Sequence, residues 1–189
     1  MISKNVLRIV SIIAILGMGF FFFSQVSSVS AASDARGGPG GQGGNRRGTS
    51  QPGTGYALTP LTPEEATALQ EAILEEYGAL NLYQSAIAQI GNAYPFSQIV
   101  RSEQQHVNAL VRQADKYGVS VPANPGLATQ PTFTTLAQAC QAGVDAEIAY
   151  AALYDTLKSV TTHADLLGVY SSLQSASLNN HLPAFQTCD

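Results

Sequence analysis

The chain has 189 residues, with 9 Lys and Arg against 13 Asp and Glu, 12% charged residues, 17 Gly, 2 Cys and no Trp. That size suits one globular domain with ends outside its core and argues against a two-domain enzyme. Although 45% of residues are apolar, the first 23 positions hold a large share of them, so a polytopic membrane protein is excluded. Setting aside Lys4 and Arg8 leaves 7 basic against 13 acidic side chains, so the formal charge falls from −4 to −6. That sign disfavours a nucleic-acid partner.

Residues 1–32 read as a secretory signal peptide. Lys4 and Arg8 precede 15 mostly apolar residues from Ile9 to Phe23, followed by the small residues Val29, Ser30, Ala31 and Ala32. Cleavage is expected near Ala31 or Ala32. An uncleaved anchor built on Phe20 to Phe23 with help from Val26 is the alternative. Both place the domain outside the cytoplasm, secreted or tethered at the cell surface, and no Cys near the cleavage region supports a lipoprotein.

Residues 33–58 read as a Gly-rich disordered linker, with nine of the 17 glycines between Gly37 and Gly55 and almost nothing to bury. Gly38, Gly40 and Gly43 satisfy G-x-G-x-x-G, but no strand precedes them and no helix follows, so the dinucleotide reading fails. Arg36, Arg46 and Arg47 are charges of a solvated linker, with contact to an anionic surface as the alternative.

The domain, 59–189, is expected to be all-α. Thr62-Pro63-Glu64-Glu65 offers an N-cap Thr, a Pro at the first helical position and a Glu three residues after the cap. Apolar residues recur at Leu69, Ile73, Leu80, Tyr83, Ile87 and Ile90 until Gly91, which predicts a first helix over about Pro63 to Ile90. A second helix starts near Pro95, carries Phe96, Ile99, Leu110 and Tyr117 on one seam and ends at Gly118. The Pro-rich stretch from Gly118 to Pro131 is too irregular for a helix and long enough to cross to the opposite end of the domain. A third helix spans about Phe133 to Val160 and a fourth about Ala164 to Phe185, with a turn at Thr161 to Asp165 between them. Two antiparallel hairpins joined by one long crossover loop is the ferritin-like four-helix bundle.

The same seams place polar groups inward. Continuing each 3–4 spacing puts Glu76 between Ile73 and Leu80, Glu103 and His106 together on the second helix, Glu147 on the third and, through 167, 170, 174, 177 and 181, His181 on the fourth. Burying three carboxylates costs several kcal/mol apiece without a positive partner. From Thr59 onward the Lys and Arg residues are Arg101, Arg112, Lys116 and Lys158, and none lies on these seams. A bound metal supplies the missing charge, and Glu with His suits iron, manganese or zinc. Mutual satisfaction of the Glu and His side chains, with water, is the alternative.

Residues side by side in an antiparallel hairpin have the turn at their mean position. Glu147 with His181 predicts a turn at 164, inside Thr161 to Asp165. Glu76 with Glu103 and His106 predicts about 90, slightly before the turn centred between Gly91 and Tyr94. Cys140 lies seven residues before Glu147 and Cys188 seven after His181, toward the same end, which predicts a Cys140–Cys188 disulfide. Free thiols, misaligned by a bend at Pro183, are the alternative. His163, off the seam, reads as a surface residue, and Tyr150 as a core aromatic with a hydrogen-bonded hydroxyl, a phenolate ligand to iron being its alternative.

Glu103-x-x-His106 within the run from Phe96, together with Lys116-Tyr117-Gly118, Glu75-Glu76 with Tyr83, Gly143 four before Glu147, and Asn180-His181-Leu182 with Ala184-Phe185, resembles an uncharacterised ferritin-like family related to rubrerythrins. The resemblance covers about Leu61 to Phe185. It implies that Glu76, Glu103, His106, Glu147 and His181 are metal ligands, and that the cofactor is iron, mononuclear or dinuclear, with manganese or zinc as other occupants. It further implies an oxidase or peroxidase-type activity on oxygen or peroxide. Rubrerythrin-like sites usually carry two more carboxylates, where this chain has Tyr150 and Ser177. The four-Cys iron domain of full rubrerythrins is missing, so a redox reaction needs an external electron donor. A non-catalytic binding or structural module with a vestigial site is the competing expectation.

Overall fold

The computed structural model describes residues 58–188. The signal peptide and nearly all of the linker inferred above lie outside the described residues. Within them the chain is helical with no strand: α1 Pro63–Ile90, α2 Phe96–Tyr117, α3 Leu136–Ser159, α4 Ala164–Ala176, a π-helical turn Ser177–His181, and α5 Leu182–Gln186. Among the described residues no helix is long and apolar enough to cross a membrane.

Local chemistry sets the helix ends. Thr62 Oγ1 accepts from the Glu65 amide at 3.2 Å and Glu65 Oε2 accepts from the Thr62 amide at 3.0 Å, the reciprocal capping box that its sequence announces. α2 stops at Gly118, whose φ of 68° is the left-handed conformation that suits glycine. α3 starts three residues later than its apolar pattern suggests, because Thr135 Oγ1 caps it by accepting from the Gln138 amide at 3.2 Å.

The helices pack as an all-α bundle. Tyr83 meets Phe96 across α1 and α2, and Tyr154 meets Tyr170 across α3 and α4, so sequence neighbours pack antiparallel. The segment between α2 and α3 runs along α1. Gln70 Nε2 donates to the Ser120 carbonyl at 2.9 Å and Asn81 Nδ2 to Asn124 Oδ1 at 2.7 Å, while Gln89 Oε1 accepts from the Phe133 amide at 2.7 Å. Contacts advance along α1 as the loop advances, which returns the chain to the other end of the bundle.

Two apolar clusters fill the interior. One gathers Leu82, Tyr83, Phe96, Ile99 and Phe185; the other gathers Leu69, Ile73, Leu110, Tyr154, Leu166 and Tyr170. On α1, α2 and the last helical segment the inward polar residues fall between these clusters, which gives the bundle a polar middle layer.

The last segment departs from the expected seam. Leu166 and Leu173 are buried, whereas Leu167 and Gln174 are only half-buried. The π turn then adds residues to one turn, so the helix phase slips and Phe185 faces inward in place of Ala184. The wider turn directly precedes Pro183, which has no amide to donate and whose ring an α turn would crowd. Cys140 and Cys188 form a disulfide with Cα atoms 5.9 Å apart, closing a 48-residue separation. In the chain-entropy picture that loop contributes roughly 4 kcal/mol.

His163 is no free surface residue. Its Nδ1 lies 2.9 Å from Glu65 Oε1, which also accepts from the Thr162 amide at 2.7 Å and the Thr162 hydroxyl at 2.8 Å, while Nε2 faces the Thr59 carbonyl at 3.1 Å. Glu65 thus ties the start of α1 to the α3–α4 turn. Burial would raise its carboxyl, but hydrogen bonds from His163, Thr162 and Thr62 outweigh that and hold it far below the ordinary 4.5.

A folded-state pKa held low stabilises the fold above the unfolded value, and this contribution fades as pH falls below about 4.5. Glu65→Gln should therefore lower Tm at pH 7 by roughly 5–10 °C, with the gap to wild type narrowing toward pH 3; a constant gap in thermal melts across that range contradicts the assignment. A Cβ on Gly143 would stand 2.7 Å from Phe185 ring carbons. Gly143→Ala gains about 1 kcal/mol of helix propensity but forces a tight core apart at about 1–3 kcal/mol, so denaturant melts should show a net loss of stability; a net gain would remove the Phe185 contact as a constraint.

Candidate metal centre

Five side chains from four helical elements converge in the middle layer. Glu76 comes from α1, Glu103 and His106 from α2, Glu147 from α3 and His181 from the π turn. They form two groups, Glu76 with Glu103 and His106, and Glu103 with Glu147 and His181, in each of which one donor atom per residue lies within 4.8 Å of the others. The structure thus brings all five sequence-inferred ligands to one place, with Glu103 common to both groups.

Glu103 divides its two oxygens. Oε2 lies 2.8 Å from His106 Nδ1, and Oε1 lies 3.0 Å from His181 Nδ1. Each imidazole meets a further carboxylate on its own side, Glu76 Oε2 at 3.2 Å from His106 Nδ1 and Glu147 Oε1 at 3.4 Å from His181 Nδ1. The two rings stack with centroids 5.5 Å apart. Ser102 Oγ sits behind them, 3.2 Å from His106 Nε2 and 3.0 Å from His181 Nε2.

Two buried tyrosines hold the outer carboxylates from across the bundle. Tyr83 Oη donates to Glu147 Oε1 at 2.6 Å, and Tyr154 Oη donates to Glu76 Oε1 at 2.5 Å. The arrangement is reciprocal: Tyr83 follows Glu76 by seven residues and Tyr154 follows Glu147 by seven, so each helix supplies one carboxylate and the phenol that orients the other's. Burial first, and then the adjacent carboxylates, push both phenols well above their ordinary 10.0 and keep them as donors.

The electrostatics require positive charge. Glu76, Glu103 and Glu147 are 3%, 2% and 0% exposed, and among the described residues their ion-pair partners are histidines, with no Lys or Arg. Burial raises the Glu76 carboxyl and the neighbouring Glu103 adds to this, outweighing the relief from His106 and leaving it at about 7. Burial would also raise Glu103, but the neighbouring imidazoles of His106 and His181 bring it down to about 2. Burial would lower both histidines, yet the carboxylates hold His106 at about 10 and His181 at about 9. Protons thus supply the positive charge when no other cation does.

Two buried atoms in this layer fit a metal ion. Glu147 Oε2 and His181 Nδ1 are buried without a hydrogen bond, although His181 Nδ1 lies close to two carboxylate oxygens. Donor atoms that converge without aligned hydrogen bonds suit an ion between them. Imidazole with carboxylate is a donor set for first-row transition metals.

Glu75 is a further buried acid that the helical seam left out. It is 6% exposed, and its Oε2 has no partner. Burial, then Glu76, Glu103 and Glu147, raise it well above the ordinary 4.5. The sequence signal for it was the Glu75-Glu76 pair on a helix whose central turns are buried on most sides. Tyr150, one turn beyond Glu147, packs its hydroxyl against Gly78 of α1, as a core aromatic does.

An all-α bundle with paired Glu and His groups in its core is thus what the fold and site define. No protein-family model matches the chain, and no curated protein matches it. It is similar in structure to hypothetical protein MJ0754 from Methanococcus jannaschii, with a TM-score of 0.61 and 23% identity over 68% of this chain and 81% of that one. That likeness concerns the fold.

Removing one phenol should loosen one carboxylate and leave its counterpart in place. Tyr154→Phe should cost about 1–3 kcal/mol in denaturant melts, the range for a buried hydrogen bond to a charged group. Tyr83→Phe should cost a similar amount, and the double variant should depart from additivity because both carboxylates belong to one network through Glu103 and the two histidines. A negligible cost for both would mean that neither bond helps to hold the layer together.

Proposed function

We propose that this chain is an exported ferritin-like protein that holds two metal ions, iron foremost, and reacts with oxygen or peroxide. The observation that carries the reading is the division of Glu103 between two histidines, each backed by its own terminal carboxylate. Glu103 with Glu76 and His106 would hold one ion, and Glu103 with Glu147 and His181 the other. The pairing order of the helices and the loop along α1 support the ferritin-like arrangement. Export rests on the amino-terminal charge and hydropathy pattern.

When bound, redox-active ions supply the electron transfer that carboxylates and imidazoles lack. The protein's own part is to neutralise and orient. Three carboxylates offset cationic charge, Tyr83 and Tyr154 fix two of them, and the two apolar clusters above and below exclude bulk water. His106 is the most open ligand, with its side chain 12% exposed against 1–5% for the other four. Access at that level favours a small oxidant over a large substrate. Both cysteines are joined to each other, so electrons for turnover come from a separate donor.

Elemental analysis of protein purified without chelator tests the metal reading. Wild type should carry close to two ions per chain, Glu103→Ala close to none, and His106→Ala and His181→Ala about one each, with helix content unchanged by circular dichroism. Equal occupancy in all four proteins would remove these residues from any metal site. If ions are present but ferrous iron and peroxide are not consumed, the protein is the non-catalytic module with a vestigial centre.

A further inference from the structure

We propose that Ser102 is a positioning residue whose single hydroxyl oxygen accepts Nε2–H from both His106 and His181, fixing both rings with Nδ1 toward the carboxylates. The inference rests on the metal reading above and deepens it. No motif pointed to this residue, which lies next to Glu103 and one helical turn before His106.

The geometry is unusual in its economy of partners. One oxygen lies 3.2 Å from one Nε2 and 3.0 Å from the other, between rings tilted by only 24°. A hydroxyl has one proton and two lone pairs. It can therefore accept from two N–H groups at once but can donate to only one nitrogen. If either neutral ring carried its proton on Nδ1, that proton would point at Glu76, Glu103 or Glu147, where a cation would be held. Its Nε2 would then need the hydroxyl's proton, and Ser102 cannot satisfy two such rings together. Accepting from both is the one arrangement in which both Nδ1 lone pairs face their carboxylates and both Nε2 positions keep a partner. Outer hydrogen bonds of this kind commonly set the tautomer and orientation of metal-binding histidines.

Sharing one oxygen also couples the halves of the site. Each histidine comes from a different helical element, α2 and the π turn, and Ser102 touches both. A change at this position should act on two ions, whereas loss of either histidine acts chiefly on one.

The test uses Zn²⁺, which is diamagnetic, with the full mature chain. Chelator competition gives affinity, and ¹⁵N–¹H spectra of histidine-labelled protein report the ring tautomer. Ser102→Ala should weaken Zn²⁺ binding at both positions by about 10- to 100-fold and abolish the protected Nε2–H signals of both histidines. Ser102→Thr, which keeps the oxygen, should restore binding to within about threefold of wild type and return those signals. His106→Ala serves as the control for the site itself. Unchanged affinity and signals in Ser102→Ala, with binding reduced in His106→Ala, overturns the role of Ser102 and leaves the metal site standing. Wild-type binding in His106→Ala overturns both.

Discussion

Buried negative charge, with no buried Lys or Arg among the described residues, is the constraint on which the structure depends. Glu76, Glu103 and Glu147 lie in the core beside Glu75, and carboxylates there are tolerated only if a positive partner and hydrogen bonds meet them. His106 and His181 are that partner in their protonated forms. A bound cation would also meet Glu147 Oε2 and His181 Nδ1, which are buried without a hydrogen bond.

The rest of the architecture arranges itself around this layer. Apolar clusters lie on either side of it, the loop between α2 and α3 runs down α1, and the π turn brings His181 to the level of Glu147 before Pro183. The reciprocal tyrosines give α1 and α3 matching roles, each carrying a Glu and, seven residues later, a Tyr that reaches the opposite Glu. The other two elements do not match. α2 carries Glu103 and His106, whereas the π turn carries Ser177 and His181. Glu103 is left as the one acid facing both histidines.

Much of this was legible in the sequence because the relevant signals are local or periodic. The Thr62 capping box, the glycines after α1 and α2 and the 3–4 spacing fixed three helices within a few residues, and inward polar residues on those seams marked the five candidate ligands. The mean-position argument placed Glu147 beside His181 and Cys140 beside Cys188. What escaped was set by tertiary geometry. The π turn has no signature in spacing alone, so the 3–4 spacing points to Leu167 and Gln174, whereas Leu166, Leu173 and Phe185 are the buried residues. His163 looked like surface because its partner Glu65 is 98 residues away in the chain. Glu75 and Ser102 escaped because each sits beside a seam residue, and a neighbour in sequence points elsewhere on an ideal helix; only where a helix is enclosed on most sides does that neighbour also reach the core.

Anomalous diffraction from crystals grown with manganous or ferrous salt tests the central claim most directly. Two peaks, one between Glu103, Glu76 and His106 and one between Glu103, Glu147 and His181, are the result this account requires. A layer without anomalous density, with both imidazoles hydrogen-bonded as cations to ordered waters and carboxylates, would contradict it.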